Sequence, residues 1–273
     1  MLVSGNQPKS MKQELRLFFT ALQFYTRLPI PAWVGYSLED MNKSTRYLPL
    51  IGWIVGFISG VFLLLGSFLI DLSTGIILSM ISSILLTGAF HEDGFADACD
   101  GFGGGWTKEK ILEIMKDSRV GTYAVVGLIL LLGLKFSLLQ ALIPFIQNQP
   151  VLVLLTLISA HALSRLMAAT MIFTNDYVRF TNDSKSKPVA EVGSKNTLLI
   201  AAIFAFIPLL TLCFLLNQPV LLLVVPFLYL IKIMLARYFT KWIGGYTGDC
   251  LGTTQQVCEI GFYIFTAILW KFI

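Results

Sequence analysis

The stretch HEDGFADACDGFGGGW, residues 91–106, followed by KDSRVG at 116–121, gathers acids, glycines and basic residues within a chain that is otherwise mostly lipid-soluble. Asp93, Asp97 and Asp100 stand at i, i+4 and i+7. At about 100° per residue they fall within an arc of roughly 60° on a helix. Three like charges on one face repel, so a helix carrying them uncompensated is destabilised. A cation is therefore expected among them. Carboxylate oxygens that keep some freedom suit Mg²⁺ or Mn²⁺, particularly when substrate phosphates complete the shell. The bland alternative is a solvated acidic face. Such a face would carry Lys and Glu on its other sides, where this segment has Gly94, Phe95, Ala96 and Ala98.

The rest of the chain decides the class. Of 273 residues, 56% are hydrophobic and 13% charged, against about 25% charged in a soluble domain. Several uncharged apolar runs are long enough to cross about 30 Å of hydrocarbon at 1.5 Å per residue. The expected fold is all-α: one integral membrane domain over residues 1–273, with about six to seven transmembrane helices and an N-terminal interfacial or re-entrant helix. Cys99, Cys213, Cys250 and Cys258 form no Cys-x-x-Cys pair and no zinc spacing, and are read as reduced packing residues. The polar start has no cleavable signal pattern.

Residues 15–28 are apolar almost all round, but short, and hold Arg16 and Arg27. The expected spans are 48–70, 72–90, 123–143, 151–173, 197–216 and 219–236, with a short final run at 260–270. Gly52, Gly56 and Gly60 line one face of the first span, so another helix can approach closely. Thr107 is the expected N-cap of an amphipathic helix over 108–116. Three polar loops are expected at about 91–121, 174–196 and 237–259.

Lysine and arginine set the orientation. The turns at 71–75, 144–150 and 217–218 contain none, whereas the N-terminal segment and the three loops hold nearly all, including Lys9, Arg119, Arg179, Lys185, Lys187 and Lys241. The positive-inside rule then puts the N-terminus and the loops in the cytosol. The net charge of +4 is thereby explained without nucleic acid. The polar motifs fall on one membrane face, where they can share a cleft.

Clustered aspartates of this kind hold Mg²⁺ against a diphosphate, and arginine and lysine complete the clamp. Gly103 and Gly104 let the backbone approach phosphate; plain loop flexibility would explain such a run standing alone, but its place next to three aspartates favours the phosphate reading. Arg165, inside the fourth span, is read as an anion contact rather than as the partner of a buried carboxylate. Lys135 and Lys232 are read as snorkelling or structural, and His161 as a packing histidine.

The blocks GAFHEDGFADACDGFGGG, LEIMKDSRVGTY, FYTRLP, SRLMA and GGYTGDCLG together resemble the adenosylcobinamide-GDP ribazoletransferase (cobalamin synthase) family, over nearly the whole chain. The resemblance implies a multi-pass enzyme of the bacterial inner membrane. It would join adenosylcobinamide-GDP to α-ribazole, or to α-ribazole 5′-phosphate, with Mg²⁺ and release of GMP. On matching positions, Asp93, Asp97 and Asp100 would hold metal. Asp117, Ser118 and Arg119 would serve substrate phosphates or orient the metal shell. Asp249 would hold metal or accept the nucleophile's proton, and His91 matches by position with its role open. A second copy, or other enzymes of the pathway, are the protein partners expected beside the bilayer. Asp97-Ala-Cys-Asp100-Gly101 is also similar to the start of the CDP-alcohol phosphotransferase signature, but the Ala-Arg and the later aspartates of that signature are absent. A transporter is the rival from another class, and it would place its acids near the bilayer midplane.

Overall fold

The structure, a computed structural model, describes residues 11–35, 37–178 and 195–272. Most of the expected loop 174–196, the first ten residues, and Lys9, Arg179, Lys185 and Lys187 lie outside the described residues. Among the described residues there are eleven α-helices and no strand, only an isolated bridge between Tyr177 and Tyr246. In order they are α1 (Met11–Tyr25), α2 (Leu38–Ser44), α3 (Leu48–Leu69), α4 (Leu72–Thr87), α5 (Phe90–Gly104) and α6 (Lys108–Lys116). Then follow α7 (Thr122–Leu142), α8 (Pro150–Thr174), α9 (Lys195–Leu216), α10 (Val224–Ile243) and α11 (Gly248–Phe272).

Five helical stretches, containing α3, α7, α8, α9 and α10, are long and apolar enough to cross a membrane; α4 with α5 makes a sixth if the bent pair is one span. Helix α8 is the centre. Its apolar window is 78% buried inside the protein, against 28–50% for the other four. Lipid is as apolar as a leucine side chain, so association rests on close packing rather than on burial from water. The glycine face of α3 supplies it. A Cβ at Gly52 would stand 2.6 Å from the carbonyl oxygen of His161, and one at Gly56 2.6 Å from the Cα of Ile158. Both positions admit glycine alone while α8 stays where it is. The helix expected over 108–116 forms, with the Thr107 hydroxyl accepting from the backbone N–H of Lys110 at 3.3 Å.

Three expectations are corrected. The second span was expected to run to residue 90, but α4 stops at Thr87. Gly88 (φ 65°) and Ala89 (φ 58°) are both left-handed, and the chain leaves them turned by 89°. The acidic segment is therefore helix α5, running off across the end of the bundle, and the stretch 91–121 is mostly helical rather than loop. The stretch 237–259 is not a loop either. Helix α10 continues to Ile243, only 244–247 is non-helical, and α11 then runs for 25 residues. The final run at 260–270 is the second half of α11. Its first half read as loop because Thr253, Thr254, Gln255, Gln256 and Glu259 are polar, yet all five are buried and find partners on other helices or on their own.

The hinge at 88–89 aims α5. A left-handed conformation costs an L-residue about 1–2 kcal/mol, and a Cβ at Gly88 would meet the Arg27 Nε at 2.2 Å. Gly88→Ala should destabilise the protein by at least about 1 kcal/mol. Gly133→Ala, in the middle of α7 with nothing within 4 Å of the new carbon, should stabilise by up to about 1 kcal/mol. Melting of the two variants in the same detergent, side by side with the parent, checks the contrast.

Candidate active site

Helices α5 and α11 cross through two glycines. A Cβ at Gly94 would lie 3.1 Å from the Cα of Asp249, and one at Gly252 3.3 Å from the Cα of Gly94 and 3.0 Å from the His91 carbonyl oxygen. The Thr253 hydroxyl bridges the crossing, at 3.3 Å from the Gly94 carbonyl and 2.8 Å from that of Asp249. Backbone contact at this point brings Asp249, from the far end of the sequence, to the aspartates of α5.

The carboxylates are graded along α5. Asp93 is exposed, Asp97 half-buried and Asp100 buried. The side chains of Asp93 and Asp97 have no hydrogen-bond or ion-pair partner among the described residues. Burial, with the fields of Asp249, Asp93 and Asp100 added, pushes the Asp97 carboxyl up to about 7. Asp249 is pushed up to about 6 by burial; the Thr247 hydroxyl pulls it back and Asp93 pushes it further. For both Asp97 and Asp249 burial is the larger cause, and the neighbouring carboxylates add to it.

Asp100 is differently engaged. One oxygen accepts from the Gly121 N–H at 2.6 Å and the other from the Ala124 N–H at 2.9 Å. It thus satisfies the N-terminus of α7, where a negative charge is also favoured by the helix dipole. A Cβ at Gly121 would stand 2.5 Å from an Asp100 oxygen, so the glycine that follows the Asp-Ser-Arg triplet is what admits the carboxylate. That contact links the two halves of the motif.

Whether these residues fit a divalent cation turns on the donor set. Among the described residues no three His, Cys, Asp or Glu side chains are gathered tightly enough to enclose a metal by themselves. Mg²⁺ seldom asks for that: it binds one or two carboxylates and completes its octahedron with water and substrate phosphate. Asp93, Asp97 and Asp249 are the hard oxygen donors in reach of such an arrangement, while Asp100 has committed a lone pair of each oxygen to α7. The residues fit an open, substrate-completed cation site.

The other predicted residues divide. Asp117 and Arg119 pair with each other, Nη2 to Oδ2 at 2.6 Å and Nε to the same oxygen at 3.0 Å. Hydrogen bonds from Arg119 hold the Asp117 carboxyl down at about 2. Ser118 and Arg119 are exposed at the rim, two or three residues before Gly121. Gly103 is a packing position, since a Cβ there would strike the Tyr123 ring at 2.6 Å; Gly104, at the exposed end of α5, meets only Ile114 at 3.4 Å.

Arg165 lies apart from the carboxylate group. It is 1% exposed, and its Nη1 donates to the His161 carbonyl at 3.1 Å and lies 3.2 Å from that ring's Nδ1. Around it is a polar network that the sequence reading missed. Glu259 of α11 forms an ion pair with Lys135 of α7, lies 3.4 Å from the His161 Nδ1, and accepts from the Gln255 amide at 2.9 Å. Gln256 donates to Glu92, beside Asp93, at 2.9 Å. Lys135 is thus a buried ion-pair partner that does not snorkel. An acid inside an apolar stretch, with basic residues on two other spans, was the available signal.

Two measurements test this geometry. An acid raised from 3.8 in the unfolded chain to about 7 in the fold lets the native state bind the extra proton between those values, so stability is lost as pH rises from about 4 to about 7. Melting temperature without divalent cation should fall across that window, and Asp97→Asn should flatten the fall; an unchanged slope would count against the clustering. Removing one partner of the buried pair, by Glu259→Gln or Lys135→Met, should cost about 3–5 kcal/mol, whereas the double change Lys135→Met with Glu259→Leu should recover much of it. A thermal double-mutant cycle reads both.

Residues 17–267 match the family described as cobalamin-5-phosphate synthase. The chain is similar to proteins named adenosylcobinamide-GDP ribazoletransferase in three species. It is 45% identical to that of Shewanella piezotolerans over 261 residues, 96% of this chain and 98% of the relative. For Shewanella oneidensis the figure is 43% over 258 residues, 94% of this chain and 96% of the relative. For Shewanella frigidimarina it is 42% over 252 residues, 92% and 94%. No solved structure matches the chain. Its match along nearly the whole length, with relatives of that identity, means that the chain belongs to the cobalamin-5-phosphate synthase family.

Proposed function

We propose that the protein is an adenosylcobinamide-GDP ribazoletransferase of the bacterial inner membrane. It transfers the cobinamide-phosphate moiety of adenosylcobinamide-GDP to α-ribazole, or to α-ribazole 5′-phosphate, with Mg²⁺. The names of the relatives support the substrates. The crossing of α5 and α11 at Gly94 and Gly252, which sets Asp249 within the field of Asp93 and Asp97, is the observation that carries the reading. A diphosphate brings negative charge and needs a cation between itself and such acids.

Mg²⁺, held by Asp93 and Asp97 with Asp249 beside them, would neutralise the diphosphate and the charge on the departing nucleotide. The residues do the rest. Asp249, set beside Asp93 by the helix crossing, can accept the proton of the attacking ribose hydroxyl. The new bond forms between that oxygen and the cobinamide-side phosphorus, the bridging P–O bond breaks, and GMP leaves. Asp100 keeps the first turn of α7 against α5, and the 117–119 segment leads into that turn. Arg119, 88% exposed at its side chain, can exchange Asp117 for a substrate phosphate, which it grips in two places. The lysine and arginine bias supports a cytosolic site.

Purified protein given adenosylcobinamide-GDP, α-ribazole and Mg²⁺ should release GMP. Asp97→Ala should reduce the rate by at least about a hundred-fold, in line with losing one charge-stabilising contact, and EDTA should abolish it. Full turnover in EDTA, or in Asp97→Ala, would overturn the assignment.

A further inference from the structure

A small cavity lies between α1, the start of α3, α5, α8 and the first turns of α11. Its walls are aromatic and apolar, among them Phe24, Tyr25, Phe90 and Tyr246, and no Asp, Glu, Lys or Arg lines it. Gly248 and Gly252 also line it, so it borders the turn that carries Asp249. His91 faces it from α5. That residue is 5% exposed, and its ring nitrogens have no hydrogen-bond or ion-pair partner among the described residues; the Phe90 ring packs edge-on at 5.4 Å between centroids.

These features exclude most occupants. A phosphate or a carboxylate would find no cation in the lining. A lipid chain would pack against the walls but offer the His91 imidazole no hydrogen bond. A flat, neutral heteroaromatic ring satisfies both demands, because its faces pack between aromatic walls and a ring nitrogen meets the imidazole.

We propose that this cavity is the subsite for the acceptor's base: it holds the heteroaromatic base of the acceptor nucleoside, with His91 hydrogen-bonded to a base nitrogen. The sugar then lies at the mouth, where its hydroxyl reaches Asp249. The proposal rests on the transferase reading above and deepens it. It gives His91 a positioning role on the side of α5 away from the aspartates.

The test uses the full chain in lipid nanodiscs, with GMP release measured while each substrate is varied in turn, and calorimetric binding of α-ribazole alone. Ala168→Phe and Leu251→Phe, which fill the cavity, should raise the acceptor's KM and Kd by at least about ten-fold with the donor's KM unchanged. His91→Leu should weaken the acceptor by about ten-fold, and His91→Gln, which keeps a donor, should recover part of the loss without altering the cavity's volume much. Unchanged acceptor KM and Kd in the filled variants overturns the subsite, and so does a rise in the donor's KM in place of the acceptor's. Wild-type protein that binds α-ribazole through this cavity but releases no GMP would sink the transferase reading and leave the subsite standing.

Discussion

Four carboxylates can share one corner of this protein only because two helices touch there backbone to backbone. Gly94 of α5 and Gly252 of α11 have no side chain to hold the helices apart, and the Thr253 hydroxyl ties the carbonyls of both. Repulsion among Asp93, Asp97 and Asp249 works against that contact, and it adds to the burial that holds the protons of Asp97 and Asp249 more tightly than in ordinary carboxyls. A divalent cation held there would relieve the repulsion, and such a cation is what an anionic diphosphate would need in order to approach these acids.

The crossing is held from behind by a buried polar network. Glu259 sits about three turns along α11 from Asp249, within a bundle that offers it Lys135, His161 and Gln255. Ion pairs of this kind are poor sources of net stability, but removing one partner leaves an unmatched charge, which fixes the register of the helices that carry them. With α11 locked to α7 and α8, and Glu92 bonded to Gln256, α5 is constrained at both its ends. The left-handed pair at 88–89 turns it out of the span, and Asp100 fastens its far end to the start of α7.

Much of the site was legible in the chain because it rests on local spacing. Positions i, i+4 and i+7 share a helix face whatever surrounds them, so Asp93, Asp97 and Asp100 were certain to align once the segment was helical. What spacing does not reveal is what each carboxylate meets. Asp100 looked like its neighbours but spends itself on the amides of Gly121 and Ala124. Gly103 looked like a place for phosphate and packs on Tyr123. Arg165 looked like an anion contact and lies buried against His161. Helix α11 was mistaken in part for a loop, because a run of Thr, Gln and Glu is polar by composition whether it faces water or a partner.

The sequence by itself determined the class, the all-helical build, the glycine face of α3 and the acidic helix, since each depends on composition, on periodicity or on the absence of a side chain. Tertiary structure alone decided which acid came to join the trio, which of the trio would cap another helix, and where an unpaired histidine would find an aromatic cavity. Those outcomes depend on contacts between separate helices, from Asp100 with Ala124 to Thr253 with Gly94. No local pattern encodes them, because the energy resides in the fit between two surfaces rather than in either one.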